Sequence, residues 1–245
     1  MPLPLQPTVL PQLARSRVSL PEDGDWAYEP KWDGFRTIAF VDGDEQFLQS
    51  RNGKPMSRYF PEVRFGPGRY VLDGELVAAS FDTLGQRIHP AKSRIDRLAA
   101  ETPARFIAFD LLARDDDVLL SLPYRERRAA LEALERDGFE LTPVVWSAAA
   151  AQDWLHHEEG VIAKEAAAPY RPGERTGMVK VKRVRTIDAV VLGWRPGKAE
   201  RTVGALILGL YDGPGGRLRE VGHSSGFTAK EKRELVDVLA PYETG

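Results

Sequence analysis

Two lysines, Lys180 and Lys182, alternate with Val179 and Val181 in the run Met178-Val179-Lys180-Val181-Lys182-Arg183. In an extended strand both ammonium groups share one face while the valines turn to the other, toward a core. Such a pair can grip a polyanion; taken alone, the pattern also suits an exposed sheet edge guarded by lysine. A second cluster, Glu29-Pro30-Lys31-Trp32-Asp33-Gly34-Phe35-Arg36, gathers four ionisable groups around a glycine at the end of an apolar strand. In isolation it reads as a solvated turn with surface ion pairs. Three carboxylates stand in apolar strands: Glu75 in Leu72-Asp73-Gly74-Glu75-Leu76-Val77, Asp110 in Phe106-Ile107-Ala108-Phe109-Asp110-Leu111, and Glu159 ahead of Gly160-Val161-Ile162-Ala163-Lys164. Buried carboxylates are rare unless paired, hydrogen-bonded or metal-bound, so three of them beside a Lys-x-Asp-Gly-x-Arg element ask for a chemical reason. His89, His156, His157 and His223 fall in none of these clusters and read as surface or packing residues.

The elements that must carry these residues follow from periodicity. Residues 1–24 hold several prolines and read as an extended lead-in. Alternation at Trp26 and Tyr28, then at Phe35, Thr37, Ala39 and Val41, predicts two strands, with Asp42-Gly43 turning into a third at 46–50. Residues 70–79 and 105–112 read as buried strands, 125–136 as a helix ended by Asp137-Gly138, and 147–157 as a helix capped by Ser147. Strands follow at 160–164 and 178–183. Beyond Arg185, strands at 187–195, 204–211 and 217–223 are joined by Gly- and Pro-rich turns, and a helix over 228–240 starts near Thr228. Strands and helices do not alternate regularly, which excludes a doubly wound parallel sheet. The expected class is α+β.

The chain has 245 residues, 42% apolar and 29% charged, with a net charge of −2, an ordinary balance for a soluble globular protein. The absence of cysteine excludes disulfides, thiolate metal sites and thiol nucleophiles. No apolar run is long enough for a membrane span and the prolines at the start do not suit a secretory signal, so a cytoplasmic protein without a membrane partner is expected. The average charge argues against a basic nucleic-acid binder. Residues 171–201, however, hold nine Lys or Arg against three Asp or Glu, a local +6, and phosphate contacts there would make binding salt-dependent.

The order of elements is more specific than any one of them. Glu-x-Lys-x-Asp-Gly-x-Arg (29–36), Ser-Arg-Asn-Gly (50–53), Asp-Gly-Glu (73–75), Phe-Asp-Leu-Leu (109–112), Glu-Gly-Val-Ile-Ala-Lys (159–164) and Val-Lys-Val-Lys (179–182) follow one another along the chain. This series resembles the covalent nucleotidyltransferase superfamily, and most closely the ATP-dependent DNA ligases of the bacterial repair and end-joining type. The stretches Ser50–Phe60 and Gln86-Arg87-Ile88-His89-Pro90 are similar to that subgroup in particular. Met178 stands where the family often has an aromatic residue.

The resemblance implies that Lys31 attacks the α-phosphate of ATP. An amine attacks as its free base, which burial and nearby cations favour; Lys180, Lys182 and bound Mg²⁺ would supply the positive field, and the two lysines would also hold the α-phosphate. It further implies Glu29 at the adenine edge, Arg36 and Glu75 at the ribose, Phe109 (with Phe106 as a rival) stacked on adenine, and Arg51 on ATP or the nick phosphate. Glu159 and Asp33 would face the metal, while Asp110 would be structural. The expected architecture is a nucleotidyltransferase domain over 1–185, with ATP-grasp-like antiparallel sheets and flanking helices, followed over 186–245 by a truncated OB-like β-barrel module. The expected activity is sealing of nicked duplex DNA through a lysyl-adenylate by a monomer, with repair or end-joining proteins as partners. An RNA ligase, a capping-type nucleotidyltransferase and a non-catalytic nucleic-acid-binding module of ligase descent are the competing readings. A basic motif that ends the family's second module is not found before Gly245, and slow adenylylation from ATP is the corresponding expectation.

Overall fold

A computed structural model of the chain describes residues 2–134, 137–183 and 186–243. Contacts divide it into two compact units, 1–183 and 184–245. In chain order the first unit contains β1 (Arg15–Arg17), β2 (Trp26–Pro30), β3 (Phe35–Gly43), β4 (Glu45–Ser50), β5 (Gly68–Val77), α1 (Phe81–Gly85), α2 (Lys92–Glu101), β6 (Arg105–Arg114), β7 (Asp117–Val118), α3 (Tyr124–Glu132), β8 (Glu140–Leu141), α4 (Ala148–His157), β9 (Gly160–Glu165) and β10 (Met178–Lys182). The second contains β11 (Val190–Pro196), β12 (Val203–Tyr211), β13 (Leu218–Ser224) and α5 (Ala229–Leu239).

Two sheets build the first unit. One has the order β1-β10-β9-β2, antiparallel except for the parallel β1–β10 pair; the other runs β4-β3-β5-β6-β7, with β8 added alongside β6. The strand assignments from periodicity fall on these elements, but two features depart from expectation. The alternation in β3 suggests one wet face, yet Thr37 to Val41 are all buried. Ala39 and Val41 enter a core with Leu72, Phe106, Leu111 and Leu131, whereas Ile38 and Phe40 enter a second core on the opposite face. That second core is closed by Leu3 and Val9, so the proline-rich lead-in is extended but packed, not a free arm. Burying each Val, Leu, Ile or Phe among these contributes roughly 1.5–3 kcal/mol. The second departure is α1 and α2, between β5 and β6, where the sequence reading places no helix. Ser80 caps α1 through Thr83 N, a signal that is visible only once the strand is known to end at Val77.

A third core joins Tyr28, Val161, Ala163, Val179 and Val181 to Ala151 of α4. Ser147 caps α4 as expected, its Oγ accepting from Ala150 N. The last two residues of the predicted 125–136 helix, and Arg185 at the predicted domain boundary, lie outside the described residues.

The second unit is a three-stranded antiparallel sheet, β11-β12-β13, with α5 packed on β12. Thr228 and Glu231 form a reciprocal capping box that starts α5. Among the described residues the sheet does not close into a barrel. The whole is α+β, as the element pattern predicts.

Candidate active site

The Glu29–Arg36 cluster runs from the end of β2 through residues 31–34 to the start of β3, and so passes from one sheet of the first unit to the other. Antiparallel register aligns Glu29 with Ile162 and Ile162 with Lys180, and places Lys182 opposite Gly160. Side chains alternate along strands, so Glu29, Ile162 and Lys180 face the cavity while the alternate row of Tyr28, Ala163 and Val179 packs against α4. Lys31 leaves the end of β2, tied by its backbone N–H to Gly160 O at 2.9 Å. Two glycines are sterically required here. A Cβ at Gly34 would lie 2.1 Å from Leu76 O, and one at Gly160, whose φ is +143°, would lie 2.1 Å from Val181 O.

The cavity between these elements has a volume of about 810 Å³ and is lined by Glu29, Lys31, Asp33, Arg36, Arg51, Glu75, Phe109, Lys180 and Lys182, among others. Nine of the ten residues singled out from sequence therefore converge on one space. The tenth, Glu159, is outside the lining, but its Oε2 stands 3.9 Å from Lys31 Nζ. Lys31 Nζ also donates to Trp32 O at 3.4 Å. Burial lowers the pKa of Lys180, and the cations Lys182, Arg175, Arg51 and Lys31 lower it further. Four cations thus act on one lysine, a field suited to a polyanion.

Phe109 reaches the cavity because β6 is irregular. Asp73 pairs with Asp110 and Gly74 with Ala108, leaving Phe109 as the extra residue of a bulge, a device that re-aims a side chain. Phe106 instead packs in the core, edge-on to Phe65, so of the two aromatics Phe109 is the one that lines the cavity. Asp110 does not line the cavity and forms a buried two-point ion pair with Arg127, at 2.8 and 3.0 Å. Burial would lower the pKa of Arg127; the Asp110 charge and hydrogen bonds outweigh it and raise it.

Several partners were hidden from sequence reasoning. Arg36 donates from Nε and Nη2 to the two oxygens of Asp73, both at 2.6 Å, and lies 4.4 Å above the Phe109 ring. Its Nη1 has no acceptor among the described residues and the residue faces the cavity. Glu29 Oε1 accepts from Lys164 Nζ at 2.8 Å and from Tyr124 Oη at 2.5 Å. Its Oε2 has no donor among the described residues. Asp73, whose Oδ2 also accepts from Tyr170 Oη at 2.6 Å, Lys164, Tyr124 and Arg175 thus join the site or support it. Only Asp73 and Lys164 stood inside quoted motifs, and no local pattern announces which charge a buried charge will meet.

Glu75 is pushed up to about 7 by burial, against the pull of Arg36 and Lys31. Its proton is then held in the folded state well above the usual 4.5. Stability from this group falls as pH rises from about 4.5 to 7, and the penalty is complete above 7. Glu75→Gln removes that penalty. The variant should gain on the order of 1–2 kcal/mol over the parent at pH 8 and almost nothing at pH 4.5, read by chemical denaturation. A stability difference that does not change with pH would contradict this.

Comparison with known proteins gives the site a context. Residues 11–182 match the family model described as ATP dependent DNA ligase domain. DNA ligase C1 of Mycolicibacterium smegmatis is 44% identical over 267 aligned positions, covering 100% of this chain and 76% of that protein. DNA ligase C of Mycobacterium tuberculosis is 45% identical over 267 positions, covering 100% and 74%. Among solved structures, a mycobacterial DNA ligase D complexed with ATP and MES superposes with a TM-score of 0.60 at 30% identity, covering 95% of this chain and 78% of that one. The matched span holds the whole lysine-lined cavity, and with relatives this similar over their greater part, the chain belongs to the ATP-dependent DNA ligases.

Proposed function

We propose that Lys31 is the residue this ligase adenylylates and that the cavity holds ATP with its α-phosphate between Lys31, Lys180 and Lys182. The observation that carries the reading is the convergence of these three amines on one cavity whose opposite wall offers a carboxylate and an unpaired guanidinium edge. Lys31 Nζ forms a P–N bond as the bond to the β-phosphate oxygen breaks and pyrophosphate leaves. An oxygen of a 5′-phosphate then displaces the lysine to give a 5′-5′ pyrophosphate linkage, and the adjacent 3′-hydroxyl attacks that phosphate and releases AMP. Catalysis of this kind is positioning together with charge stabilisation.

The free Oε2 of Glu29 suits the 6-amino group of adenine as acceptor and repels the 6-oxo group of guanine. Arg36 Nη1 and Glu75 suit the ribose hydroxyls, Phe109 the adenine face, and Arg51 a phosphate. Among the described residues no three His, Asp or Glu side chains gather as a metal cage. A hard divalent cation needs only one or two carboxylates when phosphates and water complete its shell, and Glu159, partly exposed beside Lys31, fits that need with Asp33 on the cavity wall. Mg²⁺ held there would neutralise charge on the phosphates. Nicked duplex DNA is the proposed substrate, in repair of the end-joining type.

Intact-mass measurement after incubation with Mg²⁺ and either ATP or GTP tests the reading. An AMP adduct and no GMP adduct is the expected result. A GMP adduct points to capping chemistry, and no adduct from either nucleotide points to a binding module.

A further inference from the structure

Behind the cavity wall lies a chain of buried groups to which the reaction assigns no role. Tyr170, in the loop between β9 and β10, is 3% exposed. Its hydroxyl accepts from the backbone N–H of Gln12 at 2.9 Å and donates to Asp73 Oδ2 at 2.6 Å. Asp73 is fully buried, and its other contacts are the two hydrogen bonds from Arg36. Gln12 is buried too. Its side chain bridges the loop that leads into β10, accepting from Arg171 N and donating to Thr176 O, and its carbonyl accepts from Arg36 Nη2 at 3.5 Å.

The directions of these bonds are fixed by chemistry. A main-chain N–H can only donate, so the phenol must accept from Gln12 and give its single proton to Asp73. The carboxylate is thereby held at Oδ2 from one side and by the guanidinium from the other. Burial raises the pKa of Tyr170 well above its usual value, and the Asp73 charge raises it further, so the phenol stays a donor. Burial would lower the pKa of Arg36, and Asp73 more than offsets this. With Nε and Nη2 both spent on Asp73, the guanidinium plane is locked and only Nη1 is left toward the cavity.

We infer that Tyr170, held by the Gln12 main chain, is a positioning residue that acts through Asp73 to aim Arg36 Nη1 at the ribose hydroxyls of the nucleotide. This rests on the assignment of Arg36 to the ribose given above. The phenol touches no substrate. Its effect is to keep an arginine of many rotamers in one, so that binding ATP does not require ordering it.

The experiment compares ATP with 2′,3′-dideoxy-ATP in self-adenylylation of the full chain. Tyr170→Phe deletes one oxygen and leaves the ring in its core. It should raise KM for ATP about tenfold, the loss of one hydrogen bond to a charged group, with the rate at saturating ATP within about threefold. With dideoxy-ATP, which has no ribose hydroxyl to meet Nη1, variant and parent should have the same KM. Arg36→Met is the control for the underlying assignment. If Arg36→Met weakens both nucleotides equally, the ribose assignment fails. If Arg36→Met is selective for ATP but Tyr170→Phe leaves its KM unchanged, or raises both KM values alike, the positioning role is overturned. Should Tyr170→Phe not fold, Asp73→Asn, which keeps the shape and removes the charge, carries the same comparison. An ATP-selective rise in KM then supports the inference and an unselective one overturns it.

Discussion

Lys31→Ala is expected to abolish the AMP adduct and to lower sealing from ATP by at least about a thousandfold, because it removes the amine proposed to form the P–N bond. The loss will be chemical and not a failure to fold. Lys31 Nζ is partly exposed, donates weakly to the carbonyl of its own neighbour, and lies 3.9 Å from a partly exposed carboxylate. Contacts of this kind contribute about 0–1 kcal/mol, so the melting midpoint should move by no more than a few degrees. Lys31→Arg sharpens the test. It keeps the cation beside Glu159 but presents a guanidinium that does not deprotonate in proteins, so it too should give no adduct. If charge alone mattered, Arg would retain activity. Nicked DNA that already carries the 5′-adenylate bypasses the lysine step, and both variants should seal it within about tenfold of the parent. An AMP adduct that survives in Lys31→Ala places the nucleophile elsewhere.

The physical basis of that prediction was largely legible in the sequence. Lys180 and Lys182 are recognised because strand periodicity puts them on one face, and Lys31 because its motif stands in family order with the others along the chain. Strands are local enough for this; β2, β5, β6, β9 and β10 each fall where alternation or an apolar run predicts. What periodicity does not carry is long-range choice. β1 is three residues long and pairs with a strand over 160 positions away, so no window contains the information that makes it a strand. The bulge at Phe109 arises from the mismatch of two strands, not from either alone. The same holds for partners of charge. The family resemblance implies an adenine-edge role for Glu29, and nothing near it in sequence says that one of its oxygens is spent on Lys164 and Tyr124, 135 and 95 residues away.

That buried pair carries the second large effect. Glu29 and Lys164 are almost wholly enclosed, and Lys164 Nζ lies 4.8 Å from the Phe109 ring centroid and 4.6 Å from that of Tyr124, with Phe109 O as its other acceptor at 2.9 Å. Glu29→Ala leaves an ammonium in this low-dielectric site with one neutral acceptor, and deprives the Tyr124 hydroxyl of its carboxylate. The expected cost is about 3–5 kcal/mol by chemical denaturation, and Lys164→Met, which strands the carboxylate instead, should cost a similar amount. The double variant Glu29→Met/Lys164→Met removes both charges and fills the space with apolar chains. It should lose far less than the sum of the two single losses, because desolvation of the ions disappears together with their attraction. Strict additivity would show that the two groups do not depend on each other. Function should then separate from stability. The refilled pocket no longer offers an acceptor for the 6-amino group, so the preference for ATP over GTP should fall at least about tenfold in the double variant although the fold is restored. A double variant as selective as the parent would place base selection outside Glu29 and leave the pair a purely structural one.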